Sequence, residues 1–144
     1  MTRGCGLALV ALLTAVALAG CGAPSADLFV VTRSGSIPGA HLKLLVSDGG
    51  TVRCNGGPER EVSSDVLIRA REITFELNGD DKHDGPARHD LTLVPGPGTI
   101  LRYGVRSEQG SVAFSDTSAH QPQAFYKVAQ FARDIAKRTC GLAR

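Results

Sequence analysis

Short apolar stretches, several of them alternating with polar residues, predict the β-strands of this chain. In the stretch His41–Val46, the side chains of Leu42, Leu44 and Val46 share one face of an extended backbone. Turns rich in glycine follow two of the stretches and predict hairpins. The predicted strands are Leu28–Thr32, His41–Val46, Thr51–Cys54, Thr99–Arg106 and Ser111–Ser115, with Leu91–Val94 as a brief edge segment.

Two longer stretches repeat apolar residues at helical spacing. One begins near Asp65 and ends at Asn78–Gly79, although its segment Ile73–Leu77 alone would also suit a strand. The other begins at Pro122 and runs to about Arg138 as a single apolar stripe. This succession predicts an α+β fold: an antiparallel sheet of four to five strands with two helices on one face.

The start of the chain has the residue order of a bacterial lipoprotein signal peptide. Arg3 supplies a positive charge, Leu7–Leu18 is apolar except for one threonine, and the small pair Ala19–Gly20 precedes Cys21. An uncleaved membrane helix needs roughly 20 apolar residues, more than this run has, and a plain secretory leader is the other alternative. We expect residues 1–20 to be removed and Cys21 to carry a diacylglyceryl thioether. The protein would then be held on the extracytoplasmic face of the cell membrane.

The remaining chain predicts a short tether, residues 21–26, and a single α+β domain, residues 27–144. The formal net charge of the whole chain is +2, and no block of lysine and arginine stands out. Nucleic acid is therefore not an expected partner. The membrane is the expected partner, through the lipid anchor.

Once the leader is recognised, two of the four cysteines have an expected role. Cys5 leaves with the leader and Cys21 takes the lipid, so Cys54 and Cys140 remain as a pair in an oxidising compartment. A disulfide between them is the expected outcome. Two free thiols or a metal site are the alternatives, although neither cysteine has a partner at zinc-binding spacing.

The densest polar segment, Asp80–Asp90, predicts a mobile loop. Its aspartate and histidine side chains are suitable metal ligands, but their spacing matches neither the paired-histidine motif nor the calcium loop. The chain also has no Gly-x-Ser-x-Gly elbow, phosphate loop or dinucleotide fingerprint. We expect no catalytic residues, no bound metal and no cofactor, and therefore a protein that is not an enzyme.

From Asp27 to Ile135 the order of elements resembles the emfourin-type proteins, small bacterial inhibitors of thermolysin-like zinc metallopeptidases. The likeness rests on a first strand running into Thr32–Gly39 and on a late hairpin, Tyr103–Phe114, before a closing amphipathic helix. Ser36 and Ile37 depart from the glycine and the aromatic residue of the family's turn, and the middle of the chain is longer. The lipid anchor and the cysteine pair are also foreign to that pattern.

The loop Arg33–Gly39 is the candidate contact segment, because irregular exposed segments on a rigid sheet often bind partners. Its candidate binding residues are Arg33, Ser34, Gly35 and Ile37, with Arg33 and Ile37 projecting. An ordinary strand connection is the alternative interpretation. The predicted function is a membrane-anchored, non-enzymatic binding module, and the resemblance implies a secreted metallopeptidase, or another envelope protein, as partner. The alternatives are a structural envelope lipoprotein without a ligand site and a metal-dependent enzyme using Asp80–Asp90.

Overall fold

The computed structural model describes residues 25–142, in which six strands form one antiparallel sheet. The strands are β1 (Asp27–Gly35), β2 (Leu42–Ser47), β3 (Thr51–Cys54), β4 (Glu59–Glu61), β5 (Leu101–Ser107) and β6 (Gly110–Ser115). They lie in the order β4-β3-β2-β1-β5-β6, which places β1 inside the sheet. The helices are α1 (Ser64–Asn78) and α2 (Gln123–Arg138). The predicted leader, the lipid site Cys21 and the tether up to residue 24 lie outside the described residues.

Both helices cover one face of the sheet, and the core lies between these two layers. Alternate residues of each inner strand point into it, because successive side chains of a strand face opposite sides. The rings of Phe29 on β1 and Phe131 on α2 pack in a T-shaped arrangement, with their centroids 5.8 Å apart. A second cluster stacks Tyr103, Phe114 and Phe125, with centroids 5.0 and 4.4 Å apart. These contacts confirm the predicted α+β architecture with two helices on one face.

Each helix buries one stripe of apolar residues, as its spacing predicts. The buried residues of α1 are Ala70, Ile73 and Leu77. Those of α2 are Ala124, Phe125, Val128, Phe131, Ala132, Ile135 and Ala136. The strand interpretation of Ile73–Leu77 is wrong, since these residues form the last turns of α1 before Gly79 ends it at a φ of 75°.

The predicted strand count of four to five is corrected to six. The additional strand, β4, consists of three exposed charged residues, so it lacks the apolar alternation that marks the other strands. Backbone pairing with β3 forms it, through the pairs Thr51 with Glu61 and Arg53 with Glu59, and an exposed ion pair between Arg53 and Glu59 at 2.9 Å adds to it. Its short length and charge are typical of a sheet edge that resists further pairing.

Two loop predictions also need correction. Strand β1 extends to Gly35, so Arg33–Gly35 belongs to the sheet and the connecting loop is shorter than expected. The segment Asp80–Asp90 is not wholly irregular, because Pro86–His89 forms a 3₁₀ helix that buries Ala87. The predicted edge segment Leu91–Val94 pairs with β6 through a single bridge.

The predicted disulfide between Cys54 and Cys140 is confirmed. The two Cα atoms are 5.9 Å apart, and 86 residues of sequence separate them. Cys54 ends β3, and Cys140 follows the last turn of α2. The bridge therefore ties the closing helix to the sheet near its β4 edge.

Candidate functional site

The candidate contact loop lies at one end of the sheet, which we call the distal end. There β1 finishes at Gly35, which pairs with Leu101 at the start of β5. Arg102 on β5 in turn pairs with Ser115 at the end of β6. The described chain begins at the opposite end of β1, beside Asp27. The contact loop is therefore separated from the start of the domain by the whole length of β1.

Arg33 does not project into solvent, which corrects the sequence-based expectation. Its side chain is only 2% exposed. Its Nε donates a hydrogen bond to the carbonyl oxygen of Ala40, and its Nη2 donates to that of Gly39, both at 2.9 Å. Arg33 therefore acts within the protein, holding the loop that follows β1.

Burial shifts the pKa values of Arg33 and of its neighbour Tyr103. It lowers the pKa of the Arg33 guanidinium from its usual value and raises the pKa of Tyr103, its cross-strand neighbour on β5. Both shifts have the same cause, because desolvation disfavours the charged form of either group. The buried hydroxyl of Tyr103 has no hydrogen-bond partner among the described residues.

The loop itself is a tight turn, Ile37–Ala40, which we call the distal turn. The amide of Ala40 donates to the carbonyl oxygen of Ile37 at 3.1 Å, and Gly39 adopts a φ of 74°. Proline at the second position and a positive-φ glycine at the third are typical of a type II turn. Ala40 is fully buried, whereas Pro38 is exposed and Ile37 is partly buried. The turn thus presents two apolar side chains on a fixed backbone.

Ser34 and Gly35 belong to the end of β1 rather than to the connecting loop. Ser34 is an exposed residue of β1 that pairs with Arg102. At Gly35 an added Cβ would lie 2.2 Å from the carbonyl oxygen of Ile100, so no larger residue fits without a backbone shift. Gly35 therefore permits the close approach of two chain segments at the distal end and contributes no contact side chain.

Hydrogen bonds to Asp116 and within a group of hydroxyls around Ser115 also stabilise the distal end. The carboxylate of Asp116 accepts hydrogen bonds from the amides of Ile100 and Leu101. The buried hydroxyl of Ser115 lies 3.1 Å from that of Ser118, and further hydroxyls extend this network to the residues before β5. Ile100 remains 46% exposed at this end. Ile100 was predicted to lie inside the strand Thr99–Arg106, but β5 begins one residue later, at Leu101, so the exposure of Ile100 was not predicted.

The polar segment Asp80–Asp90 is organised by its own hydrogen bonds. The carboxylate of Asp80 accepts from the amides of Lys82 and His83, at 2.8 Å each, and these bonds lower its pKa. The histidines His83 and His89 each lie 3.5 Å from one aspartate. Among residues 25–142, no cluster of three or more metal-ligand side chains is found.

The face of the sheet opposite the helices, which we call the open face, carries a second candidate site. A shallow depression of about 290 Å³ lies over Gly104, where β5 lacks a side chain. Lys43, Thr32 and Arg106 line it. Sequence analysis did not single out these residues, although they occupy the polar positions of its alternating strands.

A third concavity, of about 240 Å³, lies between the two helices and is lined partly by Arg69 and Lys127. Both cations already have partners, since Arg69 pairs with Asp134 at 3.2 Å and Lys127 pairs with Glu76. That bond raises the pKa of Lys127. These contacts join α1 to α2, so the groove is better explained by helix packing than by a ligand.

Comparison of the chain with protein-family models, with curated proteins and with solved structures finds no match. The emfourin-type resemblance therefore stays a prediction that depends on the short motifs named above. Within the described part of the chain, neither helix is long and apolar enough to cross a membrane.

Proposed function

We propose that this protein is a lipid-anchored, non-enzymatic binding module on the extracytoplasmic side of the membrane, and that it contacts a protein partner through its distal turn. One observation carries the proposal. The buried Arg33 holds the distal turn through hydrogen bonds to the carbonyl oxygens of Gly39 and Ala40. The turn lies at the end of β1 farthest from Asp27. A segment that is ordered before it binds loses less conformational entropy on binding.

The cellular location is supported by two independent features. The leader ends in Leu18-Ala19-Gly20-Cys21, the residue order that precedes lipidation. The Cys54–Cys140 disulfide suits an oxidising compartment. If Cys21 carries the lipid, the residues from 22 to 26 span at most about 17 Å, so β1 begins close to the bilayer. Strand β1 then raises the distal turn away from it.

The nature of the partner is supported only by the emfourin-type resemblance, which implies a thermolysin-like zinc metallopeptidase. The distal turn could serve such a role because Ile37 and Pro38 form an apolar tip on a backbone that resists displacement. In this proposal Arg33 is a positioning residue and Ile37 is the contact residue. This assignment replaces the earlier expectation that both side chains touch the partner.

The test measures inhibition of several thermolysin-like peptidases by the full chain, solubilised in a non-ionic detergent. Ile37→Asp should abolish inhibition because it places a charge at the centre of the apolar tip. Ile68→Asp is a matched control, since Ile68 is 52% exposed on α1 and lies away from the distal turn. The control should inhibit as the wild type does.

Lack of inhibition by the wild type at high micromolar concentration would remove the peptidase as partner. Equal inhibition by wild type and Ile37→Asp would show that the distal turn is not the contact. The anchor is tested separately by acyl labelling in cells. Cys21→Ala should lose the label, and a labelled variant would contradict lipidation at Cys21.

A further inference from the structure

The chain has only two asparagines, and glycine follows both of them. In an asparagine–glycine step, the backbone nitrogen of the glycine can attack the carbonyl carbon of the asparagine side chain, because glycine has no side chain that obstructs the approach. Aspartate before glycine allows the same attack. The four steps of these two kinds are Asp48-Gly49, Asn55-Gly56, Asn78-Gly79 and Asp84-Gly85. Their local sequences are alike, so the fold around each step determines whether it can react.

Three of the four glycine amides donate a hydrogen bond to an oxygen atom. The pairs are Gly49 with the Ser47 hydroxyl at 3.2 Å, Gly79 with the Phe75 carbonyl at 2.8 Å, and Gly85 with the Asn78 carbonyl at 3.3 Å. A nitrogen held in this way directs its hydrogen at the acceptor and must give up that bond before it can attack. Reaction at these three steps therefore requires local opening of the structure.

The step Asn55-Gly56 is the exception. Among residues 25–142, the amide of Gly56 has no hydrogen-bond acceptor, and both residues of the step are exposed. They form a tight turn after β3, in which the amide of Gly57 donates to the carbonyl oxygen of Cys54 at 2.9 Å. A Cβ added at Gly56 would meet no atom within 4 Å. The described chain therefore leaves this nitrogen unbonded and the space around it open.

The side-chain carbonyl of Asn55 is also prepared for attack. Its Oδ1 accepts a hydrogen bond from the amide of Lys43 at 2.7 Å. Such a donor polarises the carbonyl and stabilises the negative charge that develops on its oxygen during the attack. The Oδ1 of Asn78 also accepts a hydrogen bond, from the hydroxyl of Ser107. The state of the glycine amide, rather than that of the carbonyl, therefore distinguishes the two asparagines.

We propose that Asn55 is a site of spontaneous deamidation and that the fold protects Asn78. The nitrogen of Gly56 forms a bond to Cγ of Asn55, and the bond between Cγ and Nδ2 breaks. Nδ2 leaves as ammonia and takes the proton that the Gly56 nitrogen gives up, so a five-membered succinimide ring remains. One water molecule then opens the ring at either carbonyl and leaves aspartate or isoaspartate at position 55. No atom is oxidised or reduced.

The modification acts on the last residue pair that joins β2 to β3. The amide of Asn55 donates to the carbonyl oxygen of Lys43 at 2.8 Å, and the amide of Lys43 donates back to the Asn55 side chain. Isoaspartate places a side-chain methylene group in the main chain, so these two bonds cannot both keep their present geometry. This end of β3 therefore loosens, while the disulfide at Cys54 keeps it attached to the chain after α2. The proposal depends neither on the lipid anchor nor on the distal turn.

The test incubates the folded full chain in a mildly alkaline buffer with non-ionic detergent and follows both asparagines by peptide mass spectrometry. Deamidation replaces an amide NH2 group by OH, which raises the mass of the peptide by about one dalton. Asn78 is the matched control, because it also precedes glycine. Asn55 should deamidate at least about ten-fold faster, since the end of α1 must open before the amide of Gly79 can attack.

Two further measurements separate the fold from the local sequence. In the wild type unfolded in urea, the two asparagines should react at rates within about three-fold of each other, because no structure protects either. Asn55→Gln, whose longer side chain would have to close a six-membered ring, should lose the mass gain at position 55 and keep the slow rate at Asn78. Circular dichroism checks that this variant folds.

Three results would overturn the proposal. Equal rates at the two asparagines of the folded chain, or a faster reaction at Asn78, would show that the fold does not select Asn55. Reaction of Asn55 only after unfolding would show that its turn is protected as well. Hydrogen exchange of the Lys43 amide tests the structural consequence: it should be faster in the modified fraction, and an unchanged rate would contradict the loss of its hydrogen bond.

Discussion

The disulfide between Cys54 and Cys140 allows a quantitative prediction for stability. We consider the double variant Cys54→Ala with Cys140→Ala, which removes the bridge without leaving a free thiol. Its folded state should keep the same sheet and helices, because both cysteines are only partly buried beside the core. The main effect is expected in the unfolded chain, which the bridge restrains.

The magnitude follows from the length of chain that the bridge closes. With the cysteines 86 positions apart in the sequence, loop-closure entropy predicts a loss of about 4.6 kcal/mol at 25 °C. Domains of this size are typically stable by about 5–15 kcal/mol, so the loss is a large share of the total. For a urea dependence of about 2 kcal/mol per molar, the unfolding midpoint should fall by about 2 M.

The assay is equilibrium urea unfolding of the full chain, followed by circular dichroism. Wild type treated with a reductant should unfold at the same midpoint as the double variant, and the reductant should not affect the variant further. A midpoint within about 0.3 M of that of the oxidised wild type, roughly the precision of such curves, would contradict this prediction. It would mean that the unfolded chain gains little freedom when the bridge is absent.

Three other changes test the interior of the distal end. Arg33→Met removes the hydrogen bonds to the distal turn and leaves the carbonyls of the buried Ala40 and the exposed Gly39 without these donors. This loss should lower the free energy of unfolding by about 2–4 kcal/mol, measured in urea. Gly35→Ala should lower it by at least about 2 kcal/mol because its Cβ would meet the Ile100 carbonyl oxygen; the shift of the thermal midpoint checks this. Tyr103→Phe should be neutral or stabilising, because the buried hydroxyl has no partner among the described residues. Since burial raises the pKa of Tyr103, the wild type should also lose stability as pH rises above about 10, where the unfolded tyrosine ionises first; Tyr103→Phe should lose less.

Periodicity predicted the elements whose stability comes from apolar burial. The alternation of Leu42, Leu44 and Val46 marked β2, and the helical spacing from Ala124 to Ile135 marked α2. Strand β4 escaped prediction because Glu59–Glu61 gains its stability from backbone pairing with β3, which leaves no pattern in the side chains. The sequence therefore indicated the core more completely than the edge of the sheet.

The candidate sites were harder to predict because their properties depend on long-range contacts. Arg33 belongs to a residue type that is rarely buried, and its hydrogen bonds to the carbonyls of Gly39 and Ala40 come from a turn that no local sequence pattern links to it. The depression over Gly104 combines residues of four strands, so no local motif in the sequence could indicate it. The disulfide was predictable because two facts that need no geometry were enough to expect it. The compartment is expected to be oxidising, and two cysteines remain after the leader and the lipid site are assigned.

The path of β1 has a mechanical consequence for a tethered protein. If Cys21 is anchored in the membrane and a partner binds the distal turn, a pulling force between these two points is carried by a single segment, from Asp27 to Ile37. That segment is already extended for nine residues, or about 30 Å, so pulling cannot lengthen it much. Because the load passes through covalent backbone within one strand, neither the helices nor the disulfide needs to resist it. A partner could therefore pull on this module without unfolding it.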